Sequence, residues 1–167
     1  KLLGGVNFLK DTRHNENNFT YKAGYILAAS LGYNWRYGLS LEGEYAYRRN
    51  EISRIHLFGG DHAHGGHFQT SSFMANLLWN VPSCVFEDIQ PFIGAGIGYD
   101  FQKAHSTNSR IRFNQKWNHF AWQLIAGIAY PIYCNTNLTL EYKFHQGGCH
   151  FYNHTIGVGL VYNFGVK

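Results

Sequence analysis

The chain has 167 residues, a formal net charge of +4, 45% hydrophobic residues and 17% aromatics, a composition too aromatic and too weakly charged for disorder. Nineteen glycines against one methionine do not compose a helical bundle. No run of about 18 apolar residues occurs, so no transmembrane helix is expected.

A period-2 pattern recurs from end to end. KLLGGVNFLK opens it, without the charged-then-apolar layout of a signal peptide, so an exported protein is expected here in its mature form. From Phe19 to Tyr33 one set reads Phe19, Tyr21, Ala23, Tyr25, Leu27, Ala29, Leu31, Tyr33, and its complement is small or polar. The next set, Leu39, Leu41, Gly43, Tyr45, Tyr47, opposes Ser40, Glu42, Glu44, Ala46, Arg48. Phe73, Ala75, Leu77, Trp79 and Val81 oppose Ser72, Met74, Asn76, Leu78 and Asn80. Ile93, Ala95, Ile97, Tyr99 and Phe101 alternate with Gly94, Gly96, Gly98, Asp100 and Gln102. Two further strands follow, from Phe120 to Tyr130 and from Leu138 to His145. The last runs through NHTIGVGLVYNF, with Ile156, Val158, Leu160, Tyr162 and Phe164 on its apolar face.

That makes eight strands, most of about 10 to 14 residues, long enough to cross a bilayer at a tilt. The connections alternate. Three are short (34–37, 83–89 and 133–137) and four are longer and polar (11–18, 52–67, 104–118 and 146–152). An up-and-down barrel puts each kind at its own end.

The charges decide which face is the core. Lys22, Glu42, Glu44, Arg48, Asp100, Glu141 and Lys143 all fall in the small set, while the large set is nearly free of charge. Eight strands enclose too little volume for the bulky set. The bulky set therefore faces lipid, and the aromatics near the strand ends form two interfacial girdles. The fold class expected is all-β: an eight-stranded antiparallel up-and-down transmembrane β-barrel, one domain over 1–167.

PFIGAGIGYD, NHTIGVGLVYNF and the strand layout resemble the Opa-like and OmpA-like outer-membrane β-barrel proteins, the opacity and surface-antigen group. The resemblance spans the whole chain through strand patterns and not through a catalytic signature. It implies a bacterial outer-membrane, cell-surface protein of a Gram-negative organism, and adhesion or host contact in some members. The ending is similar to the signal read by the barrel-insertion machinery, matched by Thr155, Gly157, Leu160, Tyr162 and Phe164, although this chain runs on to Lys167.

Inside the barrel, Glu42, Glu44 and Glu141 are expected to pair with Lys22, Arg48 and Lys143, because a lone charge in a narrow lumen costs several kcal/mol. Such pairs plug the lumen; exchanging partners would instead open a small gated pore. In the second long loop His62, His64 and His67 have zinc or copper spacing, against the plainer reading of a polar loop. Around the last loop, His145, Cys149, His150 and His154 form a weaker set. Arg49, Arg54, Lys103, Arg110, Arg112 and Lys116 gather toward the long-loop end, as a solvated surface or as ligands for lipopolysaccharide phosphates. Cys84 and Cys134 lie in two short turns of neighbouring strands, where a disulfide is geometrically open, with Cys149 at the opposite end.

No cofactor is expected beyond the candidate metal, and no enzyme. Barrel lipid A deacylases need a His and a Ser close together on a late strand, and YKFHQGG offers His145 with Gly147 where the serine would stand. A barrel buried in lipid does not suit nucleic acid. The expected function is structural or interactive, with long loops extracellular and both ends periplasmic. Expected partners are outer-membrane lipid, lipopolysaccharide, the insertion machinery, and host surface molecules or other envelope proteins. The alternatives are the small pore and a dedicated barrel subunit of a larger envelope assembly.

Overall fold

A computed structural model describes residues 1–9, 13–14, 17–21, 23–56, 62–63, 66–82, 88–106, 114–148 and 151–164. The principal strands are β1 (Leu2–Leu9), β4 (Gly24–Asn34), β5 (Leu39–His56), β7 (Gly66–Asn80), β8 (Gln90–Ser106), β9 (Asn114–Tyr133), β10 (Thr136–Gly147) and β11 (Phe151–Tyr162). Each pairs antiparallel with its neighbours in chain order, and β11 closes the ring on β1 with Leu3 opposite Gly159. The result is a closed eight-stranded antiparallel barrel with no free edge along its wall. Three short strands, β2 (Arg13–His14), β3 (Asn17–Tyr21) and β6 (His62–Ala63), continue the ladders of the ring beyond the principal strands.

Several boundaries differ from the sequence reading. The strand expected from Phe19 to Tyr33 is two pieces, β3 and β4, both paired with β5. Thr20 opposite Arg54 and Tyr25 opposite Arg49 belong to one register, so an irregularity near Tyr21 interrupts the strand without moving its pairing. The first polar connection carries β2 and β3. The two connections expected at 52–67 and 104–118 are partly strand, because the ladders run on to Glu51 opposite His67, Gly66 opposite Ser106 and His105 opposite Asn114. Once a hairpin is in register, each further pair adds ladder bonds without new loop closure. Polar side chains on both faces hide such an extension from a search for apolar alternation.

The last connection, expected over 146–152, is entered by the ladder from both sides. Gly147 pairs with Phe151, and Gly148 supplies the positive φ of 67° that the reversal needs.

At the other end, two turns are short. A 3-10 turn, Arg36–Gly38, joins β4 to β5, with Tyr37 at φ 70° and Gly38 at φ 78°. The β9–β10 turn is Cys134–Asn135. This end is the turn end, and its opposite is the loop end.

The period-2 sets lie on opposite faces of the wall as expected. Leu27, Leu31, Ile97, Val158 and Leu160 are half exposed or more, whereas Ile26, Ala46, Ser72, Asn76, Gln123 and Thr155 are fully buried inside. Such a continuous apolar exterior far exceeds the patches that soluble monomers expose. Hydrocarbon covers it without the penalty water would impose. The aromatic girdles are present: Tyr33–Trp35 and Tyr162–Phe164 pair at the turn end, Tyr45–Phe73 and Tyr99–Phe120 toward the loop end.

The inside is filled in two ways. Small apolar clusters, Leu3–Ile26–Ala28–Ala46 and Leu78–Phe92–Ile125–Ala129, line parts of it. Polar side chains cross the rest, and glycines make room for them. A Cβ on Gly96 would stand 2.0 Å from Asn76 Oδ1, and one on Gly98 only 1.9 Å from the Phe73 carbonyl oxygen.

Candidate functional site

The lumen holds a continuous polar network. At its turn end Lys1 Nζ sits 2.9 Å from Glu42 and 3.1 Å from Glu141. Glu141 also takes a hydrogen bond from Thr139 Oγ1 at 3.1 Å and lies 3.6 Å from Lys143 Nζ. Lys143 pairs most closely with Glu44. Gln123 Nε2 donates to Asn76 Oδ1 at 2.7 Å, and both amides reach Glu44 at 3.4 Å. Four strands, β5, β7, β9 and β10, are thus tied through one carboxylate. Removing one partner from such a fully buried pair costs about 3–5 kcal/mol.

Arg48 behaves differently from the expectation of a direct ion pair. Its Nη1 donates to Ser72 Oγ at 2.6 Å, and no carboxylate bridges it among the described residues. Glu44 and Asp100 act on it electrostatically at longer range. Lys22 lies outside the described residues. Lys1 joins the acids instead. Its signal was parity: Leu3, Asn7 and Leu9 are the buried residues of β1, and Lys1 shares their face.

Two further groupings emerge only from the fold. Asn7 Nδ2 donates to Asn50 Oδ1 at 2.8 Å and to Asn153 Oδ1 at 3.2 Å, while Thr155 Oγ1 donates to Asn7 Oδ1 at 2.9 Å. These bonds bind β1 to β5 and β11 across the closing seam. His145 Nε2 and Asp100 Oδ2 stand 2.9 Å apart, both fully buried. This is a base with an orienting carboxylate; the Ser72 hydroxyl bonds to that carboxylate, and His145 Nδ1 has no hydrogen-bond partner among the described residues. A Cβ at Gly147 would come 1.9 Å from Asp100 Oδ2, so a serine side chain has no room there.

On the outer wall, Arg49 on β5 pairs with Gln69 on β7 and Gln69 with Lys103 on β8, and by backbone register alone Lys103 is opposite Lys116 on β9. Lys103 is exposed and Arg49 half-buried, and neither has an acidic partner among the described residues. One row lower lie Tyr47, Ser71, Phe101 and Asn118. Arg54 pairs by backbone with Thr20, and Arg110 and Arg112 lie outside the described residues.

The remaining candidates are placed in part. His62 is opposite His56, and His67 opposite Glu51 and His105, by backbone register. Their side chains and His64 lie outside what is described. Cys134 stands exposed with a free thiol, and Cys84, its expected partner, lies outside the described residues. In the last strand Thr155 and Gly157 face inward and Leu160, Tyr162 and Phe164 outward. His154, from the weaker last-loop set, is on the outer wall, where its Nδ1 is 2.7 Å from Tyr142 Oη. His145 is in the lumen, so the two do not converge on one ion.

Comparison with known proteins agrees with this architecture. The model of the outer membrane protein β-barrel domain matches residues 2–164. A curated outer membrane protein of Gluconacetobacter diazotrophicus is 28% identical over 161 residues, covering 87% of this chain and 43% of that protein. The chain thus spans less than half the length of that relative. Among solved structures, Neisserial surface protein A superposes with a TM-score of 0.68 at 14% identity, covering 98% of this chain and 96% of that one. Ail, the attachment invasion locus protein of Yersinia pestis, crystallised with the heparin analogue sucrose octasulfate, gives 0.56 at 16% identity, with 96% and 95% covered. At these identities the likeness is one of fold.

Proposed function

This chain belongs to the outer membrane protein β-barrel family and lies in the bacterial outer membrane, and from that premise we propose that it is a non-enzymatic surface anchor. Its barrel is a closed peg in the bilayer, its loop end faces outward, and its working surfaces are that end and the outer wall. The observation that carries this reading is the lumen. Glu44, Lys143, Glu141, Gln123 and Asn76 are fully buried in mutual contact, which blocks passage and leaves no open reactive site. The bases at the loop end then meet phosphates of lipopolysaccharide or anionic host molecules, as ionised guanidinium and ammonium groups do. Ail's contact with a sulfated heparin analogue is in keeping with such polyanion binding. Thr155, Gly157, Leu160, Tyr162 and Phe164 serve the insertion machinery in this reading.

A small gated pore is the second reading, and one observation favours it. Arg48 Nε and Nη2, Asp100 Oδ1, Gln123 Oε1 and His145 Nδ1 are buried without a protein hydrogen-bond partner among the described residues. Donors and acceptors mixed in this way suit water. Planar-bilayer recording separates the two. The anchor reading expects no conductance above the bare bilayer, for the native chain and for Glu44→Gln alike. Steady channel steps that change in Glu44→Gln would replace it with the pore.

A further inference from the structure

We propose that the outer wall across β5, β7 and β8 is a specific site for a lipid bearing two phosphates on a disaccharide head, with an acyl chain lying in a trough below. The inference rests on the loop end facing outward and on the contact with lipopolysaccharide proposed above; it adds the place, the head-group requirement and the acyl contact.

The head-group part comes from register. Arg49 and Lys103 occupy one row, separated by Gln69 on the strand between. Two strand spacings put their backbones about 10 Å apart. A single phosphate cannot engage bases held that far apart as equals, whereas a head with a phosphate at each end can. Gln69 between them offers both a donor and an acceptor to sugar hydroxyls. Below this row, Tyr45 Oη donates to Ser71 Oγ at 3.3 Å, the lowest polar side-chain contact on this part of the wall among the described residues.

The acyl part comes from side-chain size. Gly43 on β5 is opposite both Leu31 and Ala75, and Ala75 is opposite Ile97. Gly43 and Ala75 form a low floor, with Leu31, Tyr45, Phe73 and Ile97 as exposed walls. An open groove of about 990 Å³ in all includes these six in its lining and runs on past Ala29 and Leu2 to Leu160 and Tyr162. A Cβ at Gly43 would meet only the Leu31 carbonyl oxygen at 3.9 Å, so nothing of the protein fills the floor. This glycine differs from Gly96 and Gly98 on the inner face, which neighbouring atoms crowd. Gly43 lies six residues below Arg49 on β5, a descent of about 15 Å for a tilted strand, or one leaflet of hydrocarbon. The trough thus meets the lower part of a chain whose head is at Arg49.

The other side of the wall carries no such combination. There Trp122, Phe144, Tyr152 and His154 pack ring against ring, and the exposed small residues Gly4 and Ala126 have no pair of bases in register above them among the described residues.

The test is native mass spectrometry of the detergent-refolded protein titrated with diphosphoryl lipid A, monophosphoryl lipid A and phosphatidylglycerol. Gel mobility before and after heating confirms that each variant is folded. Diphosphoryl lipid A is expected to bind most tightly. Arg49→Gln and Lys103→Gln should each weaken it about tenfold, the loss of one charge-assisted hydrogen bond. Gly43→Leu and, independently, Ala75→Leu should weaken it about fivefold by filling the floor. Equal binding of all three lipids overturns the two-phosphate assignment. Loss in the base variants with none in Gly43→Leu and Ala75→Leu overturns the trough and leaves the polyanion reading standing. Unchanged binding in every variant overturns both.

Discussion

The two faces of one strand show how this barrel is built. Along β8, Ile93, Ala95, Ile97 and Tyr99 stand exposed, while Gly94, Gly96, Gly98 and Asp100 alternate with them on the inner face. Apart from Tyr99, which meets Phe120 edge-on, the outer residues need only be apolar groups that lipid accepts. The inner ones are fixed to within fractions of an ångström by Asn76, Phe73 and His145. The difference teaches that specificity lies inside and solvation outside, the reverse of a soluble barrel. A substitution should therefore be judged first by its parity and only then by its chemistry.

The comparison breaks most severely when a lumen charge loses its partner. Lys143→Met strands Glu44 between two amides and should cost about 3–5 kcal/mol in urea unfolding from lipid vesicles, while Glu44→Ala leaves Lys143 only the Glu141 carboxylate at 3.6 Å and should cost less. The double replacement Glu44→Gln with Lys143→Met should recover much of that loss, since no unpaired charge then remains at that pair. If the single and double variants are equally unstable, the pair is not the lock described here.

A charge on the outer face comes next. Ile97→Arg, midway along the lipid-facing row of β8, should cost about 2–4 kcal/mol in the same assay. Ile97→Leu should change stability by less than about 1.5 kcal/mol, because that face demands only apolarity.

Glycine sharpens the contrast, since one substitution can be tried on both faces. Gly98→Ala forces a Cβ against the Phe73 carbonyl and should destabilise by about 1–3 kcal/mol. Gly43→Ala adds a methyl into open lipid-facing space and should be neutral or stabilising by about 0.5–1 kcal/mol. Equal effects in unfolding experiments would contradict the division of roles. Asn7→Ala leaves Asn50, Asn153 and Thr155 short of bonds at the β1–β11 seam, for about 1–3 kcal/mol. The smallest effect belongs to Lys103→Gln, which should move stability by no more than about 0.5 kcal/mol while altering lipid binding.

Parity was legible in the sequence because lipid imposes it residue by residue. Leu27, Leu41, Ile97, Leu124 and Leu160 all face outward, as alternation alone placed them, and the eight strands close in chain order. The ladder extensions at Glu51–His67 and Gly66–Ser106 were not legible, since beyond the bilayer neither face must be apolar. The inward acids and bases could be named singly from the same alternation. Who meets whom could not, because partners depend on register and on how strands tilt across the lumen. Asp100 and His145 are separated by 45 residues, and Asn7 and Thr155 by 148. Neither distance leaves a local signal. Lys1 shares the parity of Leu3 and Asn7, so its inward face is legible, whereas the acids it meets lie 41 and 140 residues away.

The most direct measurement is paramagnetic relaxation of isoleucine and leucine methyls in lipid nanodiscs, with a doxyl group on the lipid tail in one sample and a water-soluble gadolinium chelate in another. The account predicts strong tail-dependent relaxation at Ile97 and Leu160 and protection from both agents at Ile26 and Ile125. Tail-dependent relaxation at Ile26 and Ile125 with Ile97 and Leu160 spared would place the apolar rows inside, and the inverted wall would have to be abandoned.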